Sequence, residues 1–263
     1  MARFGEWLKR FERLGGFWLG GFWLGGFDTL GEVLGRVLYP PHCTLCLVGT
    51  RVGCHLCTGC EGRVQLVVGA RCRQCSRPFA GAEPLPERCA DCVSRQPAYE
   101  CAVAAYNATG VVREVVHQFK YNGKRYLAGT LADWMALGLG DSRLVSPAVD
   151  MLIPVPLYPG KLRQRGFNQA LLLAEEVHRR SRLPVVEVLA RVRDTGTQTR
   201  LQREARLGNL RGAFGVRPGR GVENRHVLLI DDVLTTGATL EACASVLKKA
   251  GAASVRALTV ARG

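Results

Sequence analysis

The chain has 263 residues and is 47% apolar, enough for one large domain or two smaller ones around a sizeable core. Its 36 Lys and Arg against 22 Asp and Glu leave a net charge of +14, which suits an anionic partner such as nucleic acid, a phosphorylated metabolite or an acidic membrane surface. The longest uncharged run near the start, residues 14–27, is fourteen residues, short of the roughly 18–20 that span a bilayer, and no cleavage site follows it. A transmembrane span and a secretory signal are thereby excluded there, and the chain reads as cytoplasmic.

Residues 1–39 carry the five-residue repeat "LGGFW LGGFW LGGFD" over positions 14–28. Five is neither a helix nor a strand period, and paired glycines oppose helix. The segment reads either as a repeat-expanded leader, weakly ordered or helical, or as one that lies on a membrane or a partner.

Residues 40–97 hold four CxxC pairs: Cys43 and Cys46, Cys57 and Cys60, Cys72 and Cys75, Cys89 and Cys92. In a cytoplasmic chain such pairs bind metal rather than each other. Each pair puts two thiolates on one side of a tight turn, and two such turns complete a tetrahedral zinc site. Eight thiolates make two structural zinc ions, grouped by neighbours or cross-braced. Cys54 forms a further CxxC with Cys57 and reads as a spare thiol or a substitute ligand. Cys101 and Cys243 sit in apolar stretches and read as core residues.

From residue 98 onward strands alternate with helices. Strands are expected at 99–106, 149–156, 184–190, 226–230 and 254–260. Helices are expected over 109–121, with Thr109 as N-cap and Val112, Val115, Val116 and Phe119 on one face, and over 126–139, 167–181 and 236–250. His117 reads as packed or half-exposed rather than catalytic. Positions 191–211 are polar without a period. Alternation of this kind predicts an α/β domain at 98–263, a mainly parallel sheet with helices on both faces, whose ligands bind beyond the carboxyl ends of the strands. The basic excess is concentrated here, with fifteen basic against six acidic side chains between Lys161 and Arg225.

One stretch of this domain combines opposing charges. In "VLLIDDVLTTGAT" (227–239) an apolar strand runs into two aspartates, then a turn of threonines and glycine that opens a helix. Free amides at a helix start, a glycine and hydroxyl donors suit a phosphate. Two carboxylates beside a phosphate make sense when the ligand also carries hydroxyls or a metal, as a ribose 5-phosphate does.

These residues closely resemble the phosphoribosyl diphosphate (PRPP) motif of type I phosphoribosyltransferases. The resemblance implies that Asp231 and Asp232 hold the ribose hydroxyls, and that Thr235, Thr236, Gly237, Ala238 and Thr239 hold the 5-phosphate. "RGF" (165–167), at the turn from strand to helix, resembles the pyrophosphate loop, which gives Arg165 and Gly166 to the diphosphate, with Lys161 and Arg163 adding positive potential. The segment 191–211 stands where those enzymes place a hood, with Arg200, Arg203 and Arg206 as phosphate contacts. Magnesium would accompany PRPP.

A wider resemblance takes in the cysteine module, "FKYNGKRYLA" (119–128), "IPVPLYPGKLRQRGFNQA" (153–170) and the spaced pattern of 195–214. Together they are similar to the ComF family, from Cys43 to the carboxyl end, with a double zinc ribbon before the transferase fold. That implies a role in DNA uptake and natural transformation, with single-stranded DNA and a DNA-uptake helicase as partners, and leaves room for membrane association. An active transferase with an unknown acceptor, in nucleotide or cofactor metabolism, and a PRPP sensor without turnover are the alternatives.

Overall fold

The computed structural model describes residues 40–79, 86–194, 210 and 212–263. The leader at 1–39 and most of the polar segment, with Arg200, Arg203 and Arg206, lie outside the described residues.

Two small ribbons come first. Each opens on a CxxC turn closed by main-chain bonds, Leu47 N to Cys43 O at 3.0 Å and Ser76 N to Cys72 O at 2.9 Å. The second pair of each ribbon lies on or beside a short helix, α1 (Thr58–Glu61) and α2 (Ala90–Arg95). Next comes β1 (Cys101–Asn107) and then α3 (Gly110–Tyr121), whose Val112, Val115, Val116 and Phe119 are buried on one face as their spacing requires. Thr109 occupies the cap position, but its hydroxyl donates to Gln65 Oε1 at 3.0 Å instead of capping the helix.

A 3₁₀ turn at Arg125–Leu127 leads into α4 (Ala128–Leu139), followed by α5 (Ser142–Val145), capped by Asp141. Then come β2 (Met151–Pro154), α6 (Pro159–Arg165) and α7 (Gln169–Ser181), the last capped by the Asn168 side chain. β3 (Leu189–Arg191) and β4 (Phe214–Val216) form a small antiparallel pair. β5 (His226–Leu234), α8 (Ala238–Lys249) and β6 (Ser254–Arg262) complete the fold.

The main sheet runs β1-β6-β5-β2, and every pair in it is parallel. Alternation along its strands divides the core. Val103, Leu228, Ile230 and Leu258 pack with α3, α4 and α7 on one face. Val227, Leu229, Val255 and Ala257 pack with α8 on the other. The first ribbon contributes Cys43 and Cys60 to the former core, and the second contributes all four of its cysteines to the latter. Among the described residues, no helix is long and apolar enough to cross a membrane.

The structure corrects three sequence expectations. Of the strand expected over 184–190, Val185 makes a single parallel bridge to Leu152, and regular pairing begins only at Leu189. Leu152 N donates to Pro184 O at 2.8 Å and Val186 N to Leu152 O at 2.9 Å, so among the described residues the run meets β2 through this one bridge. The residues between β2 and "RGF" are helical, so 165–167 is a turn between two helices rather than between strand and helix. Pro159 sits at the first turn of α6, where a missing N–H costs nothing. Finally, β5 does not stop at Ile230. It stays paired with β6 through Asp231, Val233 and Leu234, opposite Thr259, Ala261 and Arg262.

The ribbons are fastened to the edge of β1. Val67 N donates to Ala105 O at 2.8 Å, and Ala102 N donates to Gln74 O at 2.7 Å. Asp141 forms the polar centre of the second attachment. Its carboxylate meets Arg143 at 2.7 Å and Arg71 at 3.0 Å, while Arg143 also reaches Arg73 O at 2.8 Å. Arg143 is mostly buried and would be left without its counter-charge in Asp141→Ala. That variant should lose about 3 kcal/mol of unfolding free energy, read as a lowered urea midpoint at unchanged m-value.

Candidate functional site

The site is made by a mismatch in strand length. β2 carries Pro154 and is followed by Pro156, neither of which has an N–H to continue the ladder, and its regular pairing with β5 ends at Ile230. Paired with β6 alone, β5 runs four residues further. The uncovered edge of Asp231–Leu234 forms the floor of a cleft of about 910 Å³, which opens at the carboxyl ends of the strands. Asp231, Asp232, Thr235 and Thr239 line this cleft, and Lys120, Lys161, Arg165 and Arg191 surround them with positive charge.

Successive residues of a strand face opposite sides, so the two aspartates have different neighbours. Asp232, 3% exposed, meets Lys120 from α3, with Nζ 2.9 Å from Oδ2. Its other oxygen accepts the Val233 amide at 2.7 Å. Asp231, 8% exposed, lies toward the face that holds Cys243 and Arg191. Burial, followed by the Asp232 charge, pushes the Asp231 carboxyl up to about 7, while Lys120 pulls it down. Burial also disfavours the Lys120 ammonium, but Asp232 beside it outweighs that and raises it above the ordinary lysine range.

The turn after β5 follows a left-handed step. Gly237 adopts φ +80°, a left-handed conformation that costs glycine little, and stands as N-cap of α8. Ala238 N donates to the Thr236 hydroxyl at 3.3 Å. Among the described residues no acceptor serves the amides of Thr236, Gly237 or Thr239. The motif residues Thr235 and Thr239 line the cleft wall, while Gly237 and Ala238 are buried behind them.

The basic residues separate into two groups. Arg165 lines the cleft, donates to Gln169 Oε1 at 2.7 Å and stacks over Tyr121 at 5.2 Å. Lys161 lines it as well, and burial lowers the pKa of its ammonium. Arg163 is an exposed residue of α6 outside the cleft lining, and the Gly166 amide is engaged at 2.8 Å by Leu162 O as the cap of that helix. His117 is exposed at the cleft, its ring 5.0 Å from Tyr121. Lys120 and Arg191 are cleft residues that sequence reasoning passed over. No local signal marks either of them, because each meets the aspartates only through the folded sheet.

The cysteines form two clusters, Cys43, Cys46, Cys57 and Cys60, and Cys72, Cys75, Cys89 and Cys92, each with its sulfurs within 4.8 Å of one another. Neighbouring pairs therefore group together, without cross-bracing. Four ligands about 2.3 Å from a zinc ion stand roughly 3.8 Å apart, and the Cys75 and Cys89 sulfurs are 3.7 Å apart. Main-chain and side-chain donors support the thiolates: Cys89 N reaches Cys72 Sγ, and Arg63 reaches Cys60 Sγ, both at 3.3 Å. The donor set fits structural zinc. Cys54 is exposed and outside both clusters, while Cys101 and Cys243 are buried.

Comparison with known proteins agrees with both halves. Residues 168–263 match the phosphoribosyl transferase domain, and residues 34–93 match the double zinc ribbon domain. The chain is similar to competence protein F of Haemophilus influenzae, 27% identical over 220 residues covering 78% of this chain and 96% of that protein. It is also similar to the DNA utilization protein YhgH of Salmonella typhi, 32% identical over 210 residues covering 79% of this chain and 90% of that one. A solved glutamine PRPP amidotransferase from B. subtilis is 19% identical with a TM-score of 0.34, over 51% of this chain and 26% of its own.

Two measurements check this arrangement. Elemental analysis of the purified chain should give two zinc ions per molecule, and Cys89→Ser should leave one. Carbon NMR should show Asp231 titrating near 7, and Lys120→Met should move that titration upward, because a charge that lowers it is gone. A carboxyl raised in this way adds stability that is complete below its unfolded value of 3.8 and is lost as pH rises through about 7.

Proposed function

The chain belongs to the ComF family of competence and DNA-utilization proteins, and on that premise we propose that it binds PRPP or a related ribose phosphate in the cleft and serves DNA uptake. The observation that carries the reading is the juxtaposition of the unclaimed Thr236, Gly237 and Thr239 amides with a buried acid pair, beside a cation-lined cleft. Amides at a helix start seat the 5-phosphate, and the aspartates accept hydrogen bonds from the ribose hydroxyls. Lys161, Arg165 and Arg191 face the diphosphate. Lys120 balances the acid pair until the sugar arrives, so that the buried carboxylates do not repel the ligand's phosphates.

Magnesium, entering with the diphosphate, would neutralise charge on the leaving group. In the transferase reading the bond from the ribose anomeric carbon to diphosphate breaks, a bond to the acceptor forms, and the acceptor gives up a proton. The cleft contributes positioning and fixed charge rather than a nucleophile. The alternatives, turnover on an unknown acceptor and PRPP sensing without turnover, share this site and differ only in whether diphosphate is released.

The zinc ribbons and the basic excess counted between Lys161 and Arg225 suit single-stranded DNA and a helicase partner. We place the protein in the cytoplasm, where its clustered thiols stay reduced, with any membrane association through partners.

Calorimetry with PRPP and magnesium tests the binding. The wild-type chain should bind, and the double variant Asp231→Asn with Asp232→Asn should lose binding at least about 100-fold, roughly 2.7 kcal/mol. Binding that survives the double substitution removes the acid pair from the site. Affinity for single-stranded DNA should fall steeply between about 50 and 200 mM salt, and a flat profile would contradict phosphate contacts.

A further inference from the structure

The turn proposed to seat phosphate is held from behind by residues anchored in the second cysteine cluster. Tyr99, 3% exposed, lies in the same buried core as Cys72, Cys75, Cys89 and Cys92. Its hydroxyl oxygen is 3.0 Å from the point a Cβ on Gly237 would occupy. The phenol therefore backs the one residue of the turn that needs a left-handed backbone. The Tyr99 carbonyl accepts a bond at 3.0 Å from the side chain of Gln74, which lies within the Cys72–Cys75 turn.

A second tie starts one residue earlier. Ala98 N donates to Glu241 Oε2 at 2.7 Å, and Glu241 stands in the first turn of α8, directly after the phosphate turn. Ala98 is joined to Cys92 by a short stretch closed by Gln96 N onto Cys92 O at 3.2 Å. On the remaining side Arg262 holds the carbonyls of Leu234 and Thr235, at 2.8 and 2.5 Å. The first cysteine cluster belongs to the opposite core, with α3 and α4, and among the described residues makes none of these ties.

From these contacts we propose that Tyr99 is a positioning residue for the 235–239 turn, and that the metal-bound second ribbon fixes the shape of that turn through Tyr99 and Glu241. The two ribbons then have different roles. The first completes the core under α3 and α4. The second makes phosphate affinity depend on its metal: while the thiolates hold zinc, the Gln74 and Ala98 contacts are in place and the turn keeps its shape. When zinc leaves, the knuckles at 72–75 and 89–92 lose their common anchor, the Gln74 bond to Tyr99 and the Ala98 bond to Glu241 lose their support, and the turn loosens. Metal loss at one ribbon thus switches off a ligand site that contains no metal ligand.

The inference rests on the reading of 235–239 as the phosphate seat, and its test separates the two. Amide hydrogen exchange at 236–241 is measured by mass spectrometry on the full zinc-loaded chain, without ligand, alongside calorimetry with ribose 5-phosphate. Tyr99→Ala and Cys92→Ser should each speed exchange there about tenfold, while Cys60→Ser should leave it at the wild-type rate. Tyr99→Ala should weaken ribose 5-phosphate about tenfold, and Tyr99→Phe, which keeps the ring, should stay within about twofold. If Cys92→Ser does not fold, the two Tyr99 variants decide the matter. Wild-type exchange in a folded Tyr99→Ala overturns the proposal, as does equal loosening by Cys60→Ser and Cys92→Ser. Failure of the wild-type chain to bind ribose 5-phosphate would overturn the phosphate reading alone, leaving the exchange rates to decide the coupling.

Discussion

Two adjacent carboxylates buried at the end of a strand are expensive unless something offsets them, and here the offset is the 2.9 Å pair between Lys120 and Asp232. The rest of the site follows from that pair. Lys120 neutralises one aspartate, which leaves Asp231 as the group whose charge is still disfavoured. The result is an acid pair whose charge is partly offset, inside a cleft lined by cations. The ribose phosphate proposed for the cleft would satisfy both components, its phosphates meeting the cations and amides and its hydroxyls donating to the acids.

The fold supplies the geometry for this chemistry. Because β2 ends in prolines and β5 continues beside β6, the acid pair is held by a sheet on one side and open to a cleft on the other. The 235–239 turn begins directly after Leu234 makes the last pairing of β5, opposite Arg262. The Arg262 side chain then fastens the start of the turn from the last strand. Two cores cover the sheet, and each takes in cysteines of one cluster.

Much of this was legible in the sequence, for identifiable reasons. The apolar runs at 226–230 and 254–260 and the valine stripe of α3 have strong periods and became the elements they predicted. Regular CxxC spacing located both thiolate clusters, and an acid pair before a Thr/Gly turn located the cleft. What was not legible depends on partners distant in sequence. Whether β5 continues past Ile230 is decided by its register with β6, and no local propensity favours aspartate in a strand. α6 is short and begins with proline and glycine, so its sequence resembles a loop. Lys120 and Arg191 acquire meaning only once the sheet brings them over Asp232 and Asp231. Arg256 is 1% exposed inside β6 and is accommodated by the carbonyl of Leu144 at 2.9 Å, a contact invisible to any pattern of polar and apolar residues.

In the proposed complex the 236–239 turn and the acid pair of β5 grip the two ends of one ribose phosphate. The most direct measurement is an amide and carboxylate NMR titration of the full chain with ribose 5-phosphate, compared with inorganic phosphate. The account predicts that both ligands shift the amides of 236–239 and that only the sugar phosphate shifts the Asp231 and Asp232 carboxyl signals and the Lys120 Nζ. Carboxyl signals that ignore the sugar, or turn amides that ignore both ligands, would contradict it.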